Sequence, residues 1–460
     1  MKDENDLVVI GGGPAGSLLA SLVAQQGYKV TLLEKESFPI YKIGESLLPS
    51  INQFLELAGL KSLLSESDYV LKRGGTFRWG KEADLFTFNF KNTKLKHKNI
   101  AYQVRRCEFD EELIKKAREK GVRVLEKCNV LKATMDNDHR INGVEYEDSN
   151  GEKCSIRAKI VADTSGVNSK LAKEVGKRTF SNHYQHVAVF GYFKNCKKLL
   201  GEASGNTLFE SFQHGWCWYF PVHDNLFSVG ALISKDKAKL LSKKSKHEVL
   251  QDMISETMHI KQMMTQAKVV EESPYNNIHV RSDFSYCHDK FWRPGLILVG
   301  DSAAFVDVLL SSGVHLATYA AILASRSILS YFDNKQTENC CFDEYEIRYK
   351  KEYGTFYKML ASFYDQDKNS AVYNQELQYW FGQTNALNLN TLAKERKSKL
   401  LYLQLGHSLK NADNVKLMRS YIEQLLTCIN PSRDLSIFPA TPLVQTELIP
   451  TKSLLKWESI

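Results

Sequence analysis

After a short polar lead, Leu7-Val8-Val9-Ile10 forms an uninterrupted apolar run, the pattern of a strand buried on both faces. It runs into Gly11-Gly12-Gly13-Pro14-Ala15-Gly16. A stretch of helical periodicity over 17–26, a break at Gly27 and a second strand over 29–33 ending at Glu34 follow. This predicts a βαβ unit. Two more apolar runs, Val161-Ala162-Asp163-Thr164-Ser165-Gly166 and Leu296-Ile297-Leu298-Val299-Gly300-Asp301, each end on an acid and small residues. The second leads through Ser311-Ser312-Gly313 into a helical run over 314–329. Strand-like segments at about 75–100 and 176–275 interrupt these units. Residues 1–330 are therefore expected to form a discontinuous α/β domain with an interleaved β-sheet substrate domain.

Beyond residue 331 the texture changes. Phe342, Tyr345, Tyr349, Tyr353, Phe356, Tyr357, Phe363, Tyr364 and the group Tyr379-Trp380-Phe381 recur at spacings near three, four and seven. The spacing predicts a helical C-terminal region over 331–460 whose aromatic face is core. Pro431, Pro439, Pro442 and Pro450 punctuate a tail expected to run extended across the surface.

Composition narrows the classes. Hydrophobic residues make up 43% and charged residues 25%, which excludes wholesale disorder. The net charge of +8 is a mild excess. The basic runs at 91–98 and 243–246 are short and read as solvated faces, or as a landing site for an acidic partner protein, not as a nucleic-acid stripe. The polar start does not read as a secretory signal, and nothing approaches the roughly 18 consecutive apolar residues of a membrane span. Nine cysteines show neither CxxC pairs nor Cys/His ligand spacing. Together these features predict a cytoplasmic protein without a structural metal.

The first motif is G-x-G-x-x-G at Gly11, Gly13 and Gly16. Gly11 permits the tight turn, Gly13 lets a pyrophosphate approach the backbone, and Gly16 lets helix and strand pack closely. Glu34, placed to accept the adenosine ribose hydroxyls, would repel a 2′-phosphate, so the site is not one for NADP. An Asp closing a strand before a helix, as Asp301 does, suits ribityl hydroxyls. Glycine at the next helix start, Gly313, can offer backbone N–H groups to a flavin ring. With no second G-x-G-x-x-G, one dinucleotide, FAD, is the economical count.

Several segments resemble flavin-dependent halogenases, more closely the phenol- and pyrrole-type branch than the tryptophan branch. They are Gly11 to Gly16, Phe38-Pro39, Ile43-Gly44-Glu45-Ser46-Leu47-Leu48-Pro49, Lys72-Arg73-Gly74-Gly75, Gln103-Val104-Arg105-Arg106, Trp216-Cys217-Trp218-Tyr219-Phe220-Pro221, Gly300-Asp301 through Asp307, and Ser311-Ser312-Gly313. The resemblance implies a fold shared with FAD aromatic hydroxylases and a two-component enzyme. A separate flavin reductase supplies reduced FAD, whose hydroperoxide oxidises chloride or bromide. Lys72 then delivers electrophilic halogen to an electron-rich aromatic, free or tethered to a carrier protein. Only a compact, deprotonatable cation serves there, and a surface lysine before a glycine turn is the alternative reading.

By the same resemblance Ser312 and Gly313 hold halide, while Trp216, Trp218 and Pro221 lie near the flavin and discourage direct oxygen transfer. Lys42, Ser46 and Arg106 join the cofactor set. Two departures stand out. Val308 replaces the proline that usually follows Asp307, and Leu310 stands where tryptophan halogenases place a glutamate, which argues against free tryptophan. An aromatic hydroxylase is the competing enzyme. A flavin-binding protein without turnover is the competing non-enzyme.

Overall fold

The computed structural model describes residues 5–79, 85–90, 100–239, 244–282, 284–333, 336–364, 448–450 and 457–459. The basic run at 91–98, the start of the run at 243–246, the aromatic group at 379–381 and the tail over 430–447 lie outside the described residues.

The first sheet has the order β19 (Trp292–Arg293), β20 (Leu296–Leu298), β10 (Lys153–Asp163), β1 (Asn5–Ile10), β2 (Val30–Leu33) and β7 (Arg123–Leu125). From β20 to β7 the strands run parallel. Val8, Val9, Val161, Ala162 and Ile297 are fully buried, as the apolar runs predicted. An antiparallel flap, β8 (Asn129–Met135) and β9 (Ile141–Glu147), extends from β10. The helices are α1 (Pro14–Ala24), α2 (Ser50–Leu57), α3 (Arg106–Glu119), α4 (Ala172–Val175) and α5 (Lys235–Ala238). They continue with α6 (Lys246–Ser255), α7 (His259–Met263), α8 (Gly313–Phe332) and α9 (Glu338–Tyr364). Helix α1 begins at Pro14, earlier than periodicity indicated, because proline at N1 gives up an N–H that has no intrahelical partner.

A second sheet has the order β16 (Lys268–Val269), β12 (His186–Lys194), β15 (Leu226–Ser234), β14 (Gly215–His223), β13 (Thr207–Phe212), β4 (Gly74–Arg78) and β5 (Phe86–Asn89). Strand β17 (His279–Ser282) also pairs with β12. A small pair, β3 (Val70–Lys72) with β6 (Ala101–Gln103), forms a sheet of its own. A three-stranded sheet joins β11 (Arg178–Phe180), β18 (Tyr286–His288) and β21 (Ala304–Phe305). In the tail, β22 (Leu448–Pro450) pairs with β23 (Trp457–Ser459), a local pairing that the proline pattern did not reveal.

The main core joins the first sheet to α1, α8 and α9. Tyr345, Tyr349, Tyr353 and Tyr357 of α9 are wholly buried, so the aromatic stripe is core. Burying four such rings is worth several kcal/mol, at roughly 1.5–3 kcal/mol for a large apolar side chain. Among the described residues, no helix is long and apolar enough to cross a membrane, and no cluster of side chains could hold a metal ion.

Candidate active site

The turn after β1 is shaped by what its glycines exclude. A Cβ on Gly16 would lie 2.0 Å from the Gly11 carbonyl oxygen, and one on Gly11, whose φ is +98°, would meet the Thr164 carbonyl oxygen at 2.8 Å. A Cβ on Gly13 would meet nothing within 4 Å. Two glycines thus serve packing, and the middle one faces open space at the start of α1, where an anionic group is favoured. Glu34, at the end of β2, accepts from the Gly12 N–H at 2.8 Å and from the Glu36 N–H at 3.1 Å. These bonds aim its carboxylate at the turn.

The two strand-closing acids differ. Asp163 is fully engaged: it accepts from the Ser165 N–H and from the hydroxyls of Ser165, Ser169 and Ser302. Asp301 is the opposite. Its carboxylate accepts no hydrogen bond among the described residues, and burial pushes its pKa up to about 7, opposed in part by Arg106. The side chain is only partly buried, so the carboxylate keeps an open face on which it can accept donors from a ligand. The open face at Gly13, the fixed Glu34 and the open carboxylate of Asp301 therefore fit one extended dinucleotide with hydroxyls at both ends. The donor-seeking acid suits the ribityl chain of FAD.

Arg106 and Lys42 have parted company. Arg106 is buried, makes two hydrogen bonds to Asp110 at 2.8 and 2.7 Å, and donates to the Ile43 carbonyl at 2.7 Å. It thereby ties the segment before α2 to α3. Lys42 is half exposed and pairs with Glu36 at 3.7 Å. Neither side chain is placed against the Gly11 turn by these bonds.

Lys72 is buried, with 3% of its surface exposed. The reason is local topology. The segment around Ser46 pairs with the far edge of β6, through the Ser46–Gln103 bridge, the Leu47 N–H to Tyr102 bond and the Val104 N–H to Glu45 bond. The Lys72 side chain reaches across β6 to that segment. Its Nζ donates to the Ser46 hydroxyl at 2.8 Å and to the Leu47 carbonyl at 2.9 Å, and sits 5.8 Å from the centre of the Phe90 ring. Burial alone pushes its pKa down to about 7 from 10.5. The amine is available near neutral pH, and the surface reading of this lysine does not hold. Ser46, expected among the cofactor residues, turns its hydroxyl to Lys72, Thr207 and Ser311.

Helix α8 opens at Gly313 with Ser312 as its N-cap, and no side chain caps it. Its first N–H groups therefore have no intrahelical acceptor. Ser311, at φ +54°, makes the sharp turn into the helix. A Cβ on Gly313 would crowd the Phe305 ring at 3.2 Å. This end of α8 is a physically sensible anion seat for Ser312 and Gly313 to form.

Trp216 and Trp218 project to one face of β14, with ring centres 5.8 Å apart. Trp216 is buried and Trp218 is partly open, donating to the Ser228 hydroxyl at 3.2 Å. Three participants were not among the site residues read from the sequence, although Tyr364 and Glu45 lay in segments that it singled out. Tyr364 accepts from the Trp216 indole at 3.0 Å and donates to Asp307 at 2.8 Å, and His186 faces the same carboxylate at 3.5 Å. Glu45 is buried and accepts from Tyr192, whose hydroxyl lies 2.9 Å from that of Tyr41; burial raises the Glu45 pKa despite the Tyr192 bond. The one signal for Glu45 was its place in the Gly44-Glu45-Ser46 segment. His186 had none.

A dinucleotide cradle, a buried amine and an uncapped helix start are together compatible with a flavoprotein oxidoreductase. The tryptophan halogenase family model matches residues 6–100 and 91–429. A tryptophan 2-halogenase of Chondromyces crocatus is 32% identical over 384 residues, covering 83% of this chain and 71% of that one. The flavin-dependent halogenase armH4 of Armillaria mellea is 30% identical over 390 residues, covering 80% and 73%. Among solved structures, the myxobacterial chondrochloren halogenase CndH, a FAD-dependent halogenase, superposes with a TM-score of 0.79 at 35% identity, covering 99% of this chain and 100% of that one. The flavin-dependent halogenase CmlS follows with a TM-score of 0.75 at 25% identity, covering 94% and 79%. The chain belongs to the flavin-dependent halogenase family.

Proposed function

We propose that the protein is a two-component halogenase that hands electrophilic chlorine or bromine from Lys72 to an electron-rich aromatic ring. The observation that carries this reading is the Lys72 amine, buried, bonded to no carboxylate among the described residues, and poised to lose its proton near neutral pH. When bound, FAD reduced by a separate reductase supplies, with oxygen, the oxidising equivalent that turns halide into hypohalous acid.

The chain's own residues do the rest. The turn shaped by Gly11 and Gly16, open at Gly13, binds the dinucleotide together with Glu34 and Asp301. The start of α8 at Ser312 and Gly313 holds halide by backbone N–H groups. Lys72 receives the halogen either as an ammonium that holds hypohalous acid by a hydrogen bond or as a free amine whose N–H is exchanged for N–halogen with release of water, and directs it to the substrate ring, which loses a proton as the carbon–halogen bond forms. Trp216, Trp218 and Pro221 wall off the flavin side, so oxygen is not transferred directly.

Leu310 lines the position at which a glutamate meets indole in tryptophan halogenases, and it is buried here. That favours a phenol, pyrrole or related ring, free or tethered to a carrier protein, over free tryptophan. The test is a single turnover. Anaerobically reduced, FAD-loaded protein is mixed with oxygenated chloride or bromide and a panel of phenols, pyrroles and tryptophan, and products are weighed by mass spectrometry. A halogen isotope doublet that vanishes in Lys72→Ala supports the reading. A product that gains one oxygen moves the protein to the hydroxylases, and halogenated tryptophan overturns the substrate class.

A further inference from the structure

We infer that Ser46 is the positioning residue of the Lys72 amine: its hydroxyl, anchored by Thr207 and Ser311, fixes the direction of one N–H and strengthens the hold of the amine on its proton. The inference rests on the reading that Lys72 hands on the halogen, but its geometry stands by itself. A hydroxyl has one proton and two acceptor sites. Ser46 Oγ receives the Lys72 ammonium at 2.8 Å and the Ser311 hydroxyl at 3.1 Å, which fills both acceptor sites. Its own proton is then left for Thr207 Oγ1 at 3.2 Å. Thr207 also accepts from Gln103 Nε2 at 3.1 Å, and the Gly205 carbonyl, which can only accept, fixes that amide's orientation at 3.0 Å. The polarity of the chain is set from the Lys72 and Ser311 donors, which occupy both Ser46 acceptor sites, and Thr207, with one lone pair taken by Gln103, keeps the other for the Ser46 proton.

The consequence for the amine is directional. Its second N–H goes to the Leu47 carbonyl at 2.9 Å, so both bonded protons point to the segment before α2. The third position is the one free to meet halogen or substrate. Ser311 brings in a second element: it belongs to the sharp turn that starts α8, beside Ser312 and Gly313. One hydroxyl thus joins the proposed halide seat to the lysine. Among the described residues no charged side chain bonds to Lys72, so Ser46 and Leu47 are its hydrogen-bond acceptors, with the Phe90 ring face 5.8 Å away.

An acceptor stabilises an ammonium more than an amine. Removing the hydroxyl makes the proton easier to lose, with an expected fall of about one unit in the titration midpoint. The experiment labels lysine with 13C at Cε and identifies Lys72 by the signal missing in Lys72→Met. Its titration is followed in FAD-loaded wild type, Ser46→Ala and Ser46→Thr, with Ser46→Gly taking the place of alanine should that variant not fold. In parallel, single turnovers read halogenated product per reduced flavin consumed. The expected result is a midpoint lowered in Ser46→Ala and restored in Ser46→Thr, with product per flavin down about tenfold in the alanine variant. A shifted midpoint in proteins that never yield product leaves the Ser46–Lys72 link standing and removes the halogen reading instead. An unmoved midpoint, a threonine variant that fails to restore it, or full product yield in Ser46→Ala from an active wild type overturns the inference.

Discussion

The indole nitrogen of Trp216 donates to the hydroxyl of Tyr364 across 3.0 Å, joining the second sheet to the last described turn of α9. That hydroxyl in turn donates a hydrogen bond to Asp307, which also accepts from the Leu309 N–H at 2.9 Å in the turn before α8. A strand, a helix end and the proposed halide turn therefore meet at one phenol.

Tyr364→Phe is expected to break this meeting point and to destabilise the protein by about 1–3 kcal/mol, the usual cost of stranding buried polar partners. Trp216→Phe should cost less in the Tyr364→Phe background than in wild type, because its indole then has no acceptor to lose. Urea unfolding of the two single variants and the double variant gives the coupling directly. Strictly additive losses would show that the Trp216–Tyr364 bond contributes nothing.

The glycine turn separates packing from binding. Gly16→Ala places a methyl 2.0 Å from a backbone oxygen and 2.4 Å from Thr164 Oγ1, so a loss above about 3 kcal/mol in folding stability is expected. Gly13→Ala meets open space at φ −70° and should fold as wild type. Its methyl would instead intrude where the pyrophosphate approaches, weakening FAD binding by about tenfold or more. Thermal unfolding without FAD and flavin fluorescence titration check the two halves. Equal FAD affinity in Gly13→Ala would remove the pyrophosphate from this turn.

Much of this was legible in the sequence, for a physical reason. A parallel sheet buries both faces of its strands, so β1, β10 and β20 are written as apolar runs, and a tight phosphate turn demands glycine where nothing else fits. The chemistry of Lys72 was legible as a residue type but not as an environment. Its burial depends on β3 pairing with β6 and on the Ser46 segment closing over the far side, and such long-range contacts leave no local period. His186 is the extreme case. It sits at the start of an ordinary strand, and only the three-dimensional fold brings it to Asp307 at 3.5 Å and to the Tyr364 ring at 4.5 Å.

Asp301 makes an opposite pair of pH predictions for fold and ligand. Its folded pKa, near 7, lies above the ordinary 3.8, so between those values the folded state binds more protons than the unfolded one. FAD-free wild type should therefore lose stability relative to Asp301→Asn as pH rises from 4 towards 7. A ribityl hydroxyl donating to the carboxylate favours the ionised form, so wild-type FAD affinity should rise through the same window while the asparagine variant binds more weakly and without that slope. Unfolding and flavin titrations at pH 5, 6 and 7 measure both. A wild-type affinity flat with pH would take Asp301 away from the cofactor.

Lys72 should show the reverse sign. Its folded pKa, about 7, lies below the ordinary 10.5, so between these values the unfolded chain binds more protons and stability rises with pH. Below pH 7 the wild type carries the full cost of a buried ammonium, and above pH 10.5 none of it. Lys72→Met keeps the length and apolar stem, removes the charge, and strands the Leu47 carbonyl and one lone pair of Ser46. Desolvating a cation costs a few kcal/mol and orphaning two acceptors costs about 1–3 kcal/mol, so the variant should be the more stable protein at pH 6. Its advantage should shrink steadily above pH 7 and reverse as the lysine of the unfolded chain loses its proton. Urea unfolding of both proteins from pH 6 to 10 tests this. Parallel stability curves would mean that Lys72 keeps an ordinary ammonium in the folded protein, and with it would go the argument that the amine is free to take up halogen near neutral pH.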